Sequence, residues 1–342
     1  DMYVKCRELG KAEDVFLELS WRNVYSWSIL MTGYVDRGLS NAAMKCFRQM
    51  RTEGIFPNAV TFSCVLKACG TIGLVRIGEE IHTEFNEHGF MKVDNTVVGT
   101  ALVDMYAKCG VLEKAHKVLK GIPERDAVCW SALIAGYAQH GRTNEALECF
   151  LQMRGEGIAP NAVTFSCILK ACGNGGHLEM GENIHLELKQ KDLLEKDLML
   201  GTALMDMYAK CGLLEKAHEV FQELLVRDSV SWNALVAAYA QHGFSDDALK
   251  CYGKMQGEGI APDEVTFTCI LNVCGIVGCL DIGEEIHAEI KELGSLEKEI
   301  DVRNALLEMY IKCGALEKAQ EVFQTFSEHN VVLWNILISG YA

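Results

Sequence analysis

The chain has 342 residues, 49% of them apolar and 23% charged, a balance that supports a packed core and excludes a disordered chain. Thirty-two basic against forty-seven acidic side chains leave a net charge of −15, which opposes any ligand held mainly through its phosphates. No run of eighteen apolar residues occurs, so no helical membrane span is expected.

The chain opens inside a partial unit, residues 1–23, where Asp1 matches Asp104 and Asp206 of later copies. It stops a third of the way into another, residues 331–342, and therefore reads as a fragment of a longer array. Between these ends three kinds of segment alternate in fixed order. The first kind occupies 24–58, 127–161 and 229–263, 35 residues each, and carries Trp at its fourth position (Trp27, Trp130, Trp232, and again Trp334). Each copy closes in a Gly-Ile-x-Pro-Asn/Asp turn, where proline stops a helix. In "TNEALECFLQM" the residues Ala146, Cys149, Phe150 and Met153 fall at three- and four-residue steps, the spacing of one helix face. Thr143, Ser40 and Ser245 are the expected N-caps of these runs. A second apolar stretch such as "WSALIAGYAQHG" precedes each run and ends in Gly, so the unit predicts helix, turn, helix.

The second kind occupies 59–95, 162–197 and 264–299; it opens with V-T-F (Val60, Val163, Val265) and contains Cys-Gly pairs at Cys69, Cys172 and Cys274. The third occupies 96–126, 198–228 and 300–330, 31 residues each. Its core reads "GTALVDMYAKCGVLEKAHKVL" from Gly99, "GTALMDMYAKCGLLEKAHEVF" from Gly201 and "RNALLEMYIKCGALEKAQEVF" from Arg303, a recurrence every 102 residues. A catalytic pocket needs its residues once. Copies at a fixed period point instead to stacked units, each completing its neighbour's core. The predicted fold class is all-α, a right-handed α-solenoid of helix-turn-helix repeats with a concave face.

Fifteen cysteines fall at recurring helical positions (Cys109, Cys211, Cys313; Cys46, Cys149, Cys251), without any CxxC pair. That pattern predicts reduced, small buried residues and no zinc cluster; no metal or cofactor is expected. H-x-E occurs at His82/Glu84, His177/Glu179, His185/Glu187 and His287/Glu289, half of the zinc deaminase signature, but the P-C-x-x-C half is missing. Three of these four histidines are one repeat position seen three times, so they are expected on helix surfaces. Neither a Gly-rich phosphate loop nor a nucleophile elbow is found, and the expectation is a binding array that is not an enzyme.

The three unit lengths in fixed order, the "VSWNALVAAYAQHG" signature and the "ALVDMYAKCG" signature resemble the pentatricopeptide repeat family of plant organelles, across essentially the whole chain. The resemblance is to its PLS subclass, which alternates P (35), L (about 36) and S (31) motifs; 1–342 would be a single such array. It implies recognition of single-stranded RNA, one base per repeat, by the fifth and last residues of each motif, with the second residue packing on the base. Carried over, Ser28 with Asn58 and Ser131 with Asn161 resemble adenine readers, and Thr100 with Asp126 and Thr202 with Asp228 resemble guanine readers. Asn233 with Asp263 resembles the uracil pair and Asn304 with Asn330 the cytosine pair. Tyr25, Val97, Val128, Met199 and Val230 would sandwich the bases, while Asp301 stands where an aliphatic is expected. The L motifs place Ser63 with Asn95, Ser166 with Asp197, and Thr268 with Glu299, and no base is assigned to them. The implied target is 5′-A-n-G-A-n-G-U-n-C-3′.

Lys108, Lys210 and Lys312 recur after the first helix of each S unit, with Lys5 in the leading fragment, and are the candidate phosphate contacts. The resemblance further implies an address for cytidine-to-uridine editing in a plant mitochondrion or chloroplast, and accessory organellar RNA editing factors (the multiple organellar RNA editing factors) docked on exposed apolar residues in the second helices of the L units. A protein-binding solenoid without RNA recognition is the alternative. Against it, the last residue is Asn or Asp in every P and S unit, a regularity that packing alone does not demand.

Overall fold

The computed structural model of the chain describes residues 2–87, 96–194, 197–294, 299–326 and 330–341. Twenty-one helices and no strands are found among them. They fall into two compact units, residues 1–171 and 172–342.

In the first unit, α1 (Met2–Lys5), α2 (Leu9–Glu18), α3 (Val24–Asp36), α4 (Ser40–Thr52), α5 (Ala59–Ile72), α6 (Val75–Glu87), α7 (Thr96–Lys108), α8 (Leu112–Gly121), α9 (Ala127–Gln139) and α10 (Thr143–Gly155) follow one another, and α11 (Ala162–Gly175) begins. α3, α5 and α7 each pack on their own even-numbered partner and on the next odd-numbered helix, so α3, α5, α7 and α9 form one layer. The second unit repeats the plan with α12 (Leu178–Gln190), α13 (Leu198–Lys210), α14 (Leu214–Glu223), α15 (Ser229–Gln241), α16 (Ser245–Gly257), α17 (Glu264–Val277), α18 (Leu280–Leu293), α19 (Ile300–Lys312), α20 (Leu316–Thr325) and α21 (Val331–Tyr341); α13, α15, α17, α19 and α21 form the layer. This is an α-solenoid of helix hairpins.

The three segment lengths have a local origin. Second helices of the 31-residue segments (α8, α14, α20) span 10 residues, against 13 in the 35-residue segments (α4, α10, α16). First helices of the longest segments (α5, α11, α17) gain one residue, reaching 14.

Burial follows the repeat. Trp27, Trp130 and Trp232 are at most 2% exposed, and full burial of a side chain of this size contributes roughly 1.5–3 kcal/mol or more. Trp27 and Trp232 meet Phe16 and Phe221 of the preceding helix edge-on, at centroid distances of 4.6 and 4.5 Å. First helices end where the chain must turn left-handed: Gly141 (φ 70°) follows α9, and the Arg142 amide then reaches back to the Tyr137 carbonyl at 2.9 Å. Arg7 occupies the position of Gly110, Gly212 and Gly314 and takes the same conformation, φ 61°, at a cost of about 1–2 kcal/mol.

Two sequence expectations are corrected here. Ser40, Thr143 and Ser245 are the first residues of α4, α10 and α16 rather than their caps; Leu39, Arg142 and Phe244 hold the cap position and make no side-chain cap bond. Three of the four H-x-E histidines are half-buried contacts between hairpins rather than open surface residues. His82, His185 and His287 bind the hydroxyls of Tyr106, Tyr208 and Tyr310 in the next hairpin through Nδ1, at 3.0, 2.8 and 2.8 Å. The same bond links His116 to Tyr137 (3.2 Å) and His218 to Tyr239 (3.0 Å). The fifteen cysteines are free thiols, with Cys149 and Cys251 buried, but Cys46, Cys109, Cys211 and Cys313 only half-buried.

Candidate functional site

Where its cap is described, a first helix opens with a polar N-cap, exposes an apolar residue at the second position of its segment (Asp301 in α19 is the exception) and carries a small polar residue one turn later. The caps are the predicted last-position readers. Asn58, Asp126, Asp228 and Asp263 accept the third amide of α5, α9, α15 and α17 within reciprocal capping boxes, at 2.9–3.0 Å. Asn161 and Asn330 accept from Thr164 and Leu333 in the same way, at 2.9 Å each. This corrects the expectation that packing leaves the Asn/Asp regularity unexplained. Capping demands an oxygen at that position, and is worth about 1 kcal/mol per helix. What capping leaves open is the second terminal atom, nitrogen in Asn and oxygen in Asp.

The fifth-position residues lie beside these caps in two arrangements. In the 35-residue segments they touch directly: Ser28 and Ser131 Oγ sit 3.3 Å from Asn58 and Asn161 Oδ1. Asn233 Nδ2 donates to both oxygens of Asp263, at 2.8 and 3.0 Å. In the 31-residue segments the hydroxyls bond their own helix and not the cap, Thr100 to the Thr96 carbonyl (2.8 Å) and Thr202 to the Leu198 carbonyl (2.9 Å), a helix bond that Ser28 and Ser131 also make to Val24 and Ala127 without losing the cap. Asn304 has no bond to Asn330, and its Oδ1 is buried without a partner among the described residues. Burial alone would raise the Asp126 and Asp263 carboxyls, but it is outweighed. The Cys129 thiol and the Cys129 and Val128 amides hold Asp126 low, and the Thr266 amide with the Asn233 and Thr266 side chains does the same for Asp263, so both are acceptors at neutral pH.

Tyr25, Val97, Val128, Met199 and Val230 are 48–70% exposed, an unusual setting for large apolar side chains at regular intervals. Val60, Val163 and Val265 hold the same position in the longest segments, and Asp301 is exposed there too. These side chains wall clefts. One of about 460 Å³ is lined by Val97 and Val128 with Thr100 and Asp126, joined by Ser63 and Lys67. Another of about 700 Å³ is lined by Tyr25 and Val60 with Ser28 and Asn58, and by Lys5, Arg7 and Arg37. A third, of about 400 Å³, brings Val265 and Asp301 together with Thr268, Asn304 and the carboxylates of Glu264 and Glu308.

Sequence profiles of the PPR repeat family match residues 22–71, 125–174 and 227–275, and those of the PPR repeat match 100–126, 163–193, 202–229, 265–295 and 302–331. The chain belongs to the pentatricopeptide repeat family. Relatives include a chloroplastic pentatricopeptide repeat-containing protein of Arabidopsis thaliana, 35% identical over 341 residues, which are 100% of this chain and 42% of the relative. A mitochondrial one from the same plant is 34% identical over 343 residues, covering 100% of this chain and 49% of the relative. The chain thus spans about half the length of the curated relatives it matches. Among solved structures, the maize pentatricopeptide repeat protein PPR10 in complex with an 18-nucleotide psaJ RNA element has the same fold, with a TM-score of 0.62 at 19% identity over 93% of this chain and 53% of that one.

The three repeat-matched lysines are already engaged. Lys108, Lys210 and Lys312 pair with Asp104, Asp206 and Glu308 one turn back on the same helices, at 2.7–2.9 Å. Their stems lie over Gly70, Gly173 and Gly275. Of the L-unit positions, Ser63 and Thr268 are placed with buried hydroxyls lacking partners among the described residues, Asp197 caps α13, and Asn95 lies outside the described residues. Sequence reasoning missed Thr61, Thr164 and Thr266. These middle residues of the V-T-F openings bond both predicted readers of the preceding segment, and the regular Thr in that tripeptide was the signal.

Proposed function

We infer that the chain binds single-stranded RNA in sequence-specific fashion, one base per cleft, with the target 5′-A-n-G-A-n-G-U-n-C-3′ read from the N-terminal repeats toward the 3′ end. The observation that carries this reading is the pairing of exposed aliphatics with polar tips: Val97 and Val128 wall a cleft that also holds Thr100 and Asp126. Neighbouring helices pack about 8–10 Å apart, so a base entering between two such side chains meets one on each face. Stacking of this kind contributes roughly 1–3 kcal/mol per base and is indifferent to sequence.

Sequence is read by the second terminal atom of the cap. Uracil and guanine carry a proton on the Watson–Crick ring nitrogen and need an acceptor, which Asp126, Asp228 and Asp263 supply. Adenine and cytosine lack that proton and need a donor, which the amides of Asn58, Asn161 and Asn330 supply. The relatives' chloroplastic and mitochondrial names and PPR10's bound RNA agree with this reading and with an organellar setting.

In that setting the array serves as the address for C-to-U editing by a deaminase domain, in the manner of PLS proteins, its segments being the P, L and S motifs in the order given above. Accessory organellar editing factors would dock on the L-unit second helices, where Leu186 and Leu293 are the exposed large apolar residues among those described. A gel shift with AnGAnGUnC RNA and versions altered at each specified letter tests the assignment. Each altered letter is expected to weaken binding, and uniform affinity across the series would leave a protein-binding scaffold as the better account.

A further inference from the structure

Beyond bonds to its own helix, such as Ser28 Oγ to the Val24 carbonyl (2.8 Å) and Ser131 Oγ to the Ala127 carbonyl (2.6 Å), the fifth-position group can be held by one residue of the next segment. Where the third residue of the following helix is threonine, the bonds close. Thr61 Oγ1 lies 2.9 Å from both Ser28 Oγ and Asn58 Oδ1, and Thr164 lies 2.6 Å from Ser131 Oγ and 2.9 Å from Asn161 Oδ1. Thr266 Oγ1 donates to Asn233 Oδ1 at 2.5 Å while sitting 3.1 Å from Asp263 Oδ1. At three places where that residue is aliphatic, a buried fifth-position oxygen has no partner among the described residues: Ser63 before Val98, Thr268 before Val302, Asn304 before Leu333. Thr61, Thr164 and Thr266 are 0% exposed, so no solvent competes for their hydroxyls.

We propose that this threonine hydroxyl is a positioning group that determines how sharply a cleft discriminates its base, and that Asn233 and Asp263 form the sharpest of these readers; the proposal rests on the base-reading function inferred above. The Thr266 hydroxyl holds Asn233 Oδ1 inward, so the carboxamide nitrogen must face the Asp263 carboxylate. Both donor and acceptor patterns of the cleft are then fixed before any base enters, which is what selection against the wrong edge requires. Asn304, with the same carboxamide and Leu333 in place of threonine, has no group to fix its orientation. Its cleft offers either face of the amide and accepts more than one base.

The test compares the wild-type chain with Thr266→Val, which keeps its own amide in the Asp263 cap but removes the hydroxyl and with it the reciprocal bond from the Asp263 amide, and Thr266→Ser, which restores both. RNAs carrying U or C at the Asn233/Asp263 letter are titrated, with the Ser131/Asn161 letter varied as an internal control. Thr266→Val is expected to lower the U-over-C ratio by about tenfold, the worth of one buried hydrogen bond, with Thr266→Ser within about twofold of wild type and the control letter unmoved. A ratio unchanged in Thr266→Val overturns the proposal, as does a wild-type ratio at the Asn304/Asn330 letter equal to that at Asn233/Asp263. Should Thr266→Val fail to fold, Thr61→Val and Thr164→Val make the same comparison at their own letters. If wild type itself shows no base preference at any of these letters, the base-reading function fails first, an outcome distinct from selective loss at one letter.

Discussion

At the scale of single residues, two demands meet on one side chain. Asp263 caps α17 through Oδ1, and under the proposed function Oδ2, which accepts from Asn233 Nδ2, is also the acceptor offered to the base. Asn satisfies the first demand equally well, since its Oδ1 caps α5 from Asn58 with the same geometry. Asp263→Asn is therefore expected to leave the cap intact and exchange the second terminal atom from acceptor to donor, giving up the Asn233 Nδ2 bond to Oδ2 and moving the preference at that letter from U to C in a competition gel shift. A melting temperature within a few degrees of wild type, with no change in base preference, would contradict the role. The sequence displayed these caps plainly, because Asn and Asp recur at fixed distance from Trp. It did not display why, since a cap and a reader have the same residue requirement, and only the bonds separate them. Thr61, Thr164 and Thr266 stayed hidden for a related reason: threonine inside V-T-F reads as helix-start composition until its hydroxyl is seen between two side chains of the preceding segment.

At the scale of elements, the repeat lengths were legible because each hairpin is local, and the three-residue shortening of α8, α14 and α20 shows directly in the spacing. The ties between hairpins were not, since they join residues more than twenty positions apart. The His–Tyr bonds are the clearest case. Tyr106 and Tyr208 are pushed up to about 12 by burial, with nearby carboxylates adding to it, so each remains a donor and needs a neutral imidazole as acceptor. Burial lowers His82 and His185 below the ordinary imidazole value, with Lys114 beside His82, and Lys189 and Lys216 beside His185, adding to it; Glu79, and Glu182 with Glu223, work in the opposite sense. His116 and His218 are lowered in the same way. The folded chain thus binds fewer protons than the unfolded one, and stability rises with pH through this range. The contribution is complete above about pH 6.5 and is lost as pH falls below it. The melting temperature should drop between pH 7 and 5.5, and the drop should be smaller in the double variant His82→Gln, His185→Gln, whose amides do not titrate. Equal drops in the two proteins would show that other groups set the acid sensitivity.

At the scale of the whole molecule, the proposed function asks a chain of net charge −15 to hold a polyanion, and Lys108, Lys210 and Lys312 of the 31-residue segments are spent on neighbours. Each Lys108–Asp104 type pair is partly exposed, so its own contribution to stability is at most about 1 kcal/mol, little enough for a phosphate to compete for the lysine. Under the proposed function affinity then rests on stacking and edge recognition, with few counterions released. The expected log–log slope of the observed binding constant against salt is shallower than about −5, and a steeper slope would show phosphate contacts that this charge distribution does not supply. The lysines can be tested within the same measurement. Asp104→Asn and Asp206→Asn remove the competing carboxylates without touching a base reader, so Lys108 and Lys210 become available to the RNA backbone. Binding should tighten equally for all sequences, and the slope should steepen by about one for each lysine that gains a phosphate. A slope that does not move in the double variant would take Lys108 and Lys210 out of the RNA path altogether, leaving their ion pairs as helix-surface contacts and base stacking as the main source of affinity.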